Sequence, residues 1–435
     1  MNKILVEVLL MLLLVSCDKS NVNPIYEFEN YEKLESEFVI ISNDSIFLGR
    51  PYSLSLIKDN IVMYDFYDQK MLTWYSLTDN KTKHNVSMGN GPGEFIPPLY
   101  IFSLGDDKVK LYERSNGTFY TYEWSDVYND NLKNPISVDR LKIFGENAVP
   151  CGQNYLLNDM QDDLNLFSLI SPDGDVISRF GRYPGELNEN MDSKSLGFLT
   201  QCLVGVDNLG ERMVAAGYMS DMLSFYKKVG DEFVLYKEYF TKNADIDIQK
   251  DASGWHTRPN ENTLNTYLSL CFSKDKLFAL YWGTKEGEKA EKSYIQVFDL
   301  DGCFIKGFVV PECLKTIAVN ETGELLYGIS FEDEISINVY NLEDKLDLEM
   351  WKNWKKWADR LLTLAFGVCV LVVVWLLLQI TCATSFRVPS HSMYPTLVPG
   401  DYILVNKWIM GARIWKSVSP HDGEIRWDRG MKKIE

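Results

Sequence analysis

The chain has 435 residues and a mass of 50.1 kDa, with 46% apolar, 24% charged and 13% aromatic residues and a formal charge of −17. That length and aromatic content exclude a disulfide-stapled peptide and a disordered acidic chain. The acidic balance, with no Lys/Arg cluster interleaved with aromatics along one face, argues against nucleic-acid binding.

Residues 1–17 open with Lys3, continue through the apolar run Leu9 to Val15 and end on Leu14-Val15-Ser16-Cys17. A basic start, an apolar core and a small residue before a cysteine is the order of an export signal. The segment resembles a bacterial lipobox. That resemblance implies cleavage before Cys17, acylation of its thiol and a tether to membrane lipid.

Between about residues 36 and 349 the strands are rich in β-branched and aromatic residues and are separated by turn clusters. Examples are Asp106-Asp107, Ser171-Pro172-Asp173-Gly174 and Asp299-Leu300-Asp301-Gly302. Six apolar strands recur, starting at Ile61, Val109, Leu166, Met213, Leu277 and Leu325, with spacings of 48, 57, 47, 64 and 48 residues. A second strand with an aromatic near its end follows most of them: Met71 to Leu77, Thr118 to Trp124, Met222 to Tyr226, Tyr294 to Leu300 and Ile335 to Leu342. Four strands per unit of about 50 residues predict a mainly all-β chain built as a six-bladed β-propeller.

The segment Met88-Gly89-Asn90-Gly91-Pro92-Gly93-Glu94-Phe95, echoed at Phe180 to Leu187, sharpens this expectation. It looks like the six-bladed propeller lipoproteins common in Bacteroidetes, over residues 25–349, which implies a fold and a surface address rather than a reaction. Gly91 and Gly93 are expected to take positive φ in a tight turn between blades. No paired carboxylates, Ser/His/Asp order or phosphate loop stands out, so an unidentified ligand or protein partner is expected for the propeller. Eight Cys and four His show neither CxxC nor zinc-finger spacing, and no metal site or cofactor is expected. Cys303 and Cys313 suit either a disulfide or two buried free thiols, the second being the simpler expectation.

Composition changes near Met350. Residues 350–435 carry twelve Lys/Arg against six Asp/Glu, and seven of the eleven Trp. Leu361 to Ile380 is uncharged over twenty residues, about 30 Å as a helix, the thickness of a bilayer core. With Lys352, Lys355, Lys356 and Arg360 on its N-terminal side and Trp351, Trp354 and Trp357 beside them, it reads as a single transmembrane helix in the cell envelope.

Beyond it come Arg387-Val388-Pro389-Ser390-His391-Ser392-Met393-Tyr394-Pro395-Thr396-Leu397 and Gly400-Asp401-Tyr402-Ile403-Leu404-Val405-Asn406-Lys407. These residues resemble bacterial type I signal peptidases, serine endopeptidases that remove signal peptides from exported proteins. The resemblance implies a partial, β-rich catalytic domain over residues 385–435. Ser392 would be the nucleophile, its backbone N–H and the Ser390 hydroxyl would form the oxyanion site, and Met393 and Tyr402 would lie along the substrate cleft. It also implies a lysine base on a later strand, followed by Arg and a Gly-rich turn. Lys432 and Lys433 are the late lysines and neither has that context, so the base is expected to be absent and the domain cut off.

An exported propeller followed by one membrane helix would carry residues 381–435 inward, whereas signal peptidases act on the outer side. Met350-Trp351-Lys352 would serve as the start of such an enzyme, with its basic flank inside. The chain is therefore expected to be composite, a propeller lipoprotein joined at Met350 to a signal peptidase by gene fusion or by an assembly error.

Overall fold

The computed structural model describes residues 24–406 except 43–45, 47, 106, 144, 160–164, 186–196, 198, 252–253, 332–333, 344, 347–348, 382 and 392–395. Beyond these it describes 419–421 and 424–426. The chain divides into two compact units, Met1–Leu346 and Asp347–Glu435.

The first unit is a ring of six antiparallel sheets. Blade 1 holds Ser53–Ile57, Asn60–Tyr67, Lys70–Ser76 and Thr82–Ser87, and blade 2 holds Leu99–Gly105, Lys108–Glu113, Thr118–Glu123 and Ser137–Arg140. Blade 3 is Gly145–Cys151, Asn154–Asp159, Phe167–Ile170 and Val176–Phe180; blade 4 is Cys202–Val206, Arg212–Gly217, Leu223–Val229 and Glu232–Tyr239. Blade 5 comprises Leu264–Phe272, Lys276–Lys285, Ser293–Asp299 and Phe304–Val310, and blade 6 comprises Leu314–Val319, Leu325–Phe331 and Ile335–Asn341.

Within each blade the strands lie in sequence order. First strands of successive blades pack together from blade 3 through 4, 5, 6 and 1 to 2, and so form the innermost circle. Each pair of neighbouring blades encloses its own core. Trp74 and Leu111 fill the space between blades 1 and 2, Phe119 and Tyr155 that between 2 and 3, and Phe167 and Met213 that between 3 and 4. Phe225 and Phe298 lie between blades 4 and 5, Phe278 and Tyr340 between 5 and 6, and Ile61 and Ile329 between 6 and 1.

This sandwiching explains the apolar runs in the sequence. A second strand is covered on both faces, so it reads as a continuous hydrophobic stretch: Ile61, Val62, Met63 and Tyr64 are all buried. An outermost strand has one wet face, and Ser137–Arg140 alternates half-buried with exposed. One of the six expected repeats is out of register. Leu166 leads into the third strand of blade 3, and the true counterpart is Tyr155 in the second. The second strand there has only Tyr155-Leu156-Leu157 between polar residues, which makes it less conspicuous than Leu166-Phe167-Ser168-Leu169. The long spacing between Met213 and Leu277 also has a cause that the sequence did not reveal, an extra hairpin of Ile246–Asp251 with Gly254–Pro259 inserted between blades 4 and 5.

The N-terminal segment closes the ring. Phe38–Ile41 pairs antiparallel with Ile335–Asn341 as the outermost strand of blade 6, and Glu32–Lys33 adds to blade 5 in parallel with Phe304–Val310. The residues just before them dock on blades 4 and 5. Ile25 is fully buried, its carbonyl accepts from Gln296 Nε2 at 2.9 Å and from the Tyr31 hydroxyl at 2.7 Å, and the Tyr26 hydroxyl donates to the Asp221 carbonyl at 2.7 Å. Joining the start of the chain to its last blade leaves no gap in the circle.

Hairpin turns repeat a pattern of an acceptor side chain three residues before glycine. Asp207, Asp299 and Asn320 each accept backbone N–H groups on the side-chain oxygen, and Gly210, Gly302 and Gly323 follow at φ of 69°, 70° and 80°. In the Met88–Phe95 segment, which links blades 1 and 2, only Gly93 takes positive φ, 85°. Gly91 instead donates its N–H to Glu94 Oε2 at 2.9 Å, so the expectation for Gly91 is corrected. Cys303 and Cys313 are not joined in a disulfide; Cys313 is buried, its thiol donating to the Ala290 carbonyl, and Cys303 is exposed, so two buried thiols are not what forms.

The second unit contains a helix, Glu349–Thr381, then an antiparallel pair of Ala383–Arg387 with Tyr402–Asn406 and a small pair of Ser419–His421 with Glu424–Arg426. Every side chain from Leu361 to Leu376 is exposed. Among the described residues, no helix is long and apolar enough to cross a membrane. The expectation at 361–380 is thus met as a helix, and a membrane span is not shown.

Candidate functional site

The described ends of the serine block are tied together where Ala383–Arg387 pairs with Tyr402–Asn406. Arg387 and Tyr402 are cross-strand partners, and just beyond them Val388 N donates to the Asp401 carbonyl at 2.8 Å while Gly400 N donates to the Val388 carbonyl at 2.9 Å. The Asp401 carboxylate accepts from Val398 N at 3.0 Å, and Val388 is buried at 5% exposure. These bonds bring both ends of the 389–399 segment together on the hairpin. Ser390 lies exposed at the start of that loop. Ser392 and Met393, the expected nucleophile and cleft residue, lie outside the described residues, as do Cys17, Lys432 and Lys433. Tyr402 is 75% exposed, with the Arg387 guanidinium 6.0 Å from its ring centre. A loop held on a two-stranded base can present a hydroxyl to a substrate, and no lysine occurs between Arg387 and Asn406 to serve as its base.

The propeller contains buried acids that sequence reasoning missed. In blade 1 the fully buried Asp65 accepts from Gly49 N at 2.8 Å and Thr73 Oγ1 at 3.0 Å, and Thr73 Oγ1 lies 2.8 Å from His84 Nδ1. Burial lowers the pKa of His84, against the opposing pull of Asp65. In blade 2 Glu113 takes Ile96 N at 2.8 Å and Asn116 Nδ2 at 2.7 Å. In blade 3 Asp159 takes Ser168 Oγ at 2.5 Å and Arg179 Nε at 3.4 Å. Each acid stands four residues after the first apolar position of its second strand: Ile61 and Asp65, Val109 and Glu113, Tyr155 and Asp159. That spacing was a usable signal, and it would have selected Tyr155 over Leu166.

These carboxylates serve the blades. Their oxygens are engaged by backbone N–H groups and short hydroxyls, which stabilise a buried charge but leave little capacity for proton transfer to a ligand. Between blades 2 and 3, Lys110 Nζ donates to Asp139 Oδ2 at 3.1 Å and to the Tyr155 hydroxyl, which in turn donates to Asp139. Burial first, then the hydrogen bond and charge of Asp139, push the Tyr155 hydroxyl well above the usual tyrosine range. No group of metal-ligating side chains occurs among the described residues.

Comparison with known proteins separates the same two regions. Residues 360–425 match the signal peptidase, peptidase S26, family. A curated signal peptidase I of Buchnera aphidicola subsp. Baizongia pistaciae is 32% identical over 79 residues, 18% of this chain, and the chain spans a quarter of that relative's length. Among solved structures, a protein of Bacteroides fragilis aligns at 13% identity over 71% of this chain and 98% of its own, with a TM-score of 0.44. The Cps50 (Swd1) β-propeller domain of Myceliophteria thermophila aligns at 11% identity over 70% and 99%, with a TM-score of 0.38. Residues 29–322, most of the chain and nearly all of the six-bladed ring described above, match the TolB-like six-blade propeller family, and the chain belongs to that family.

Proposed function

We propose that residues 350–435 form a membrane-anchored serine endopeptidase module of the signal peptidase I type, joined to a propeller that acts as a binding module at the cell envelope. The observation that carries the first part is the agreement of residues 360–425 with the peptidase S26 family. In this reading Ser392 attacks the scissile carbonyl of a signal-peptide-bearing substrate, and its own N–H together with the Ser390 hydroxyl stabilises the oxyanion. Met393 and Tyr402 flank the bound peptide. Leu361 to Ile380 crosses the bilayer; the run of exposed apolar side chains from Leu361 to Leu376 supports that assignment, because such a surface in water is costly.

The test is cleavage of a preprotein by the detergent-purified chain beside Ser392→Ala. Lys432 and Lys433 lack the sequence context of the family's base, so turnover is expected to be slow, and Ser392→Ala is expected to abolish what remains. Cleavage that survives the substitution would remove Ser392 from the mechanism.

The propeller reading is favoured by its saturated acids, which look structural rather than catalytic. Its anchor is proposed to be a lipid on Cys17. Fatty-acid labelling that persists in Cys17→Ser would refute that anchor.

A further inference from the structure

Blades 4 and 5 are tied together at the rim by a turn that the function proposed above does not use. Asp299 to Cys303 links the third and fourth strands of blade 5 and lies against the outermost strand of blade 4, Glu232–Tyr239. The Tyr236 hydroxyl donates to the Leu300 carbonyl at 2.8 Å and the Tyr239 hydroxyl to the Gly302 carbonyl at 2.8 Å, while Arg212 Nη2 stands 3.3 Å from Asp301 Oδ1. Within the turn, Cys303 N donates to Asp299 Oδ1 at 2.8 Å and Asp299 N to the Cys303 carbonyl at 3.0 Å. The backbone that carries Cys303 is therefore fixed relative to the neighbouring blade.

Across that junction Lys237 Nζ donates to Cys303 Sγ at 3.4 Å. The contact sets a nitrogen and a sulfur nucleophile, from two blades and 66 positions apart in the chain, against each other. Cys303 is exposed, so an oxidant in solution reaches its sulfur, whereas Cys151, Cys202 and Cys313 are buried. Lys237 is half-buried, with its nitrogen 5.2 Å from the ring centre of Tyr239, and it has no carboxylate partner among the described residues. Its amine therefore stands where a second cysteine would stand in a thiol pair that closes on oxidation.

We propose that Lys237 and Cys303 form a covalent cross-link between blades 4 and 5, with hydrogen peroxide as the oxidant. One peroxide oxygen passes with its hydrogen to the Cys303 sulfur, the O–O bond breaks, and the other oxygen leaves as water with the thiol proton. Sulfur is thereby oxidised to the sulfenic acid and the peroxide is reduced. Lys237, in its unprotonated form, then bonds its nitrogen to that sulfur; the S–O bond breaks and the hydroxyl leaves as a second water with a proton from the amine. The product is a sulfenamide. It closes a loop of chain that contains the inserted hairpin of Ile246–Asp251 with Gly254–Pro259, which restricts the unfolded chain as a disulfide does. Both residues belong to the propeller, so the proposal is independent of the peptidase reading.

The test treats the full chain in detergent with hydrogen peroxide and maps its tryptic peptides by mass spectrometry, beside Cys303→Ser and Lys237→Arg. The unaltered chain is expected to lose cleavage after Lys237 and to yield the Lys237 and Cys303 peptides joined, at their summed mass less two hydrogens. Dithiothreitol is expected to separate them. Lys237→Arg keeps the positive charge and removes the amine, so it should give no joined species and let Cys303 proceed to the sulfinic acid. Cys303→Ser should give no joined species either. The denaturant midpoint should rise on oxidation in the unaltered chain and in neither variant. Recovery of Cys303 only as the free thiol, its passage to the sulfinic acid equally fast with and without Lys237, or a joined species that persists in Lys237→Arg would overturn the proposal.

Discussion

The two units of this chain treat apolar residues in opposite ways. In the propeller, Val62, Leu111, Phe278 and Leu326 have no exposed surface, because each lies between two sheets. In the helix Glu349–Thr381, Leu362, Phe366 and Leu371 are exposed at 75%, 72% and 69%. Similar side chains therefore have different partners: the first unit supplies its own cover by closing a circle, whereas the second displays its apolar surface to something else. Hydrophobicity alone says that a residue needs cover, and the topology decides where the cover comes from.

The largest effect is expected from opening the circle. A chain starting at Ser42 loses the strand Phe38–Ile41, together with the buried Ile25, Leu34 and Ile40. At roughly 1.5–3 kcal/mol for each buried aliphatic side chain, the three together amount to about 4.5–9 kcal/mol, comparable to the whole stability of many domains. Denaturant unfolding should show a propeller that is unfolded or has lost its cooperative transition, and a normal transition would mean that the strand is not what closes the ring. A smaller break inside one core is Phe298→Ala, between blades 4 and 5, expected to cost about 3–5 kcal/mol.

The comparison is sharpened by placing a charge in the second unit. Leu371→Arg is expected to leave the melting midpoint of the propeller unchanged, while raising the cost of membrane insertion by about 2.5–3.5 kcal/mol. Alkaline extraction of membranes reads this directly. Retention equal to that of the unaltered chain would argue against the span.

The smallest effect concerns acid. Burial holds the His84 pKa below the usual value, so the folded state binds fewer protons than the unfolded state as pH falls. Its contribution is complete above the ordinary histidine pKa of about 6.5 and is lost progressively below it. His84→Asn should therefore lose less stability than the unaltered protein between pH 7.5 and 5.5, measured by denaturant midpoint.

Much of the propeller was legible because its second strands, buried on both faces, print as largely apolar runs at Ile61, Val109, Met213, Leu277 and Leu325, broken only by Lys110 in the second. Blade 3 misled, since Phe167-Ser168-Leu169-Ile170 is a third strand that is itself wholly buried. Five runs were thus in register and one was displaced by a strand. The hairpin at 246–259 escaped notice because its strands are interrupted by charge, as in Ile246-Asp247-Ile248-Gln249-Lys250-Asp251. The serine block was legible as an ordered motif, but its chemistry depends on a base that a local motif does not contain.

By itself the amino-acid sequence determined the all-β character, the number of blades, the change of composition near Met350 and the serine block, because all of these are local or periodic. Only the tertiary structure decided that residues 24–41 strap the ring shut and that Asp65, Glu113 and Asp159 serve the blades. Phe38 and Val339, paired where the ring closes, are 301 positions apart in the chain. Closure of a circle brings such residues together, and no spacing along the chain records it.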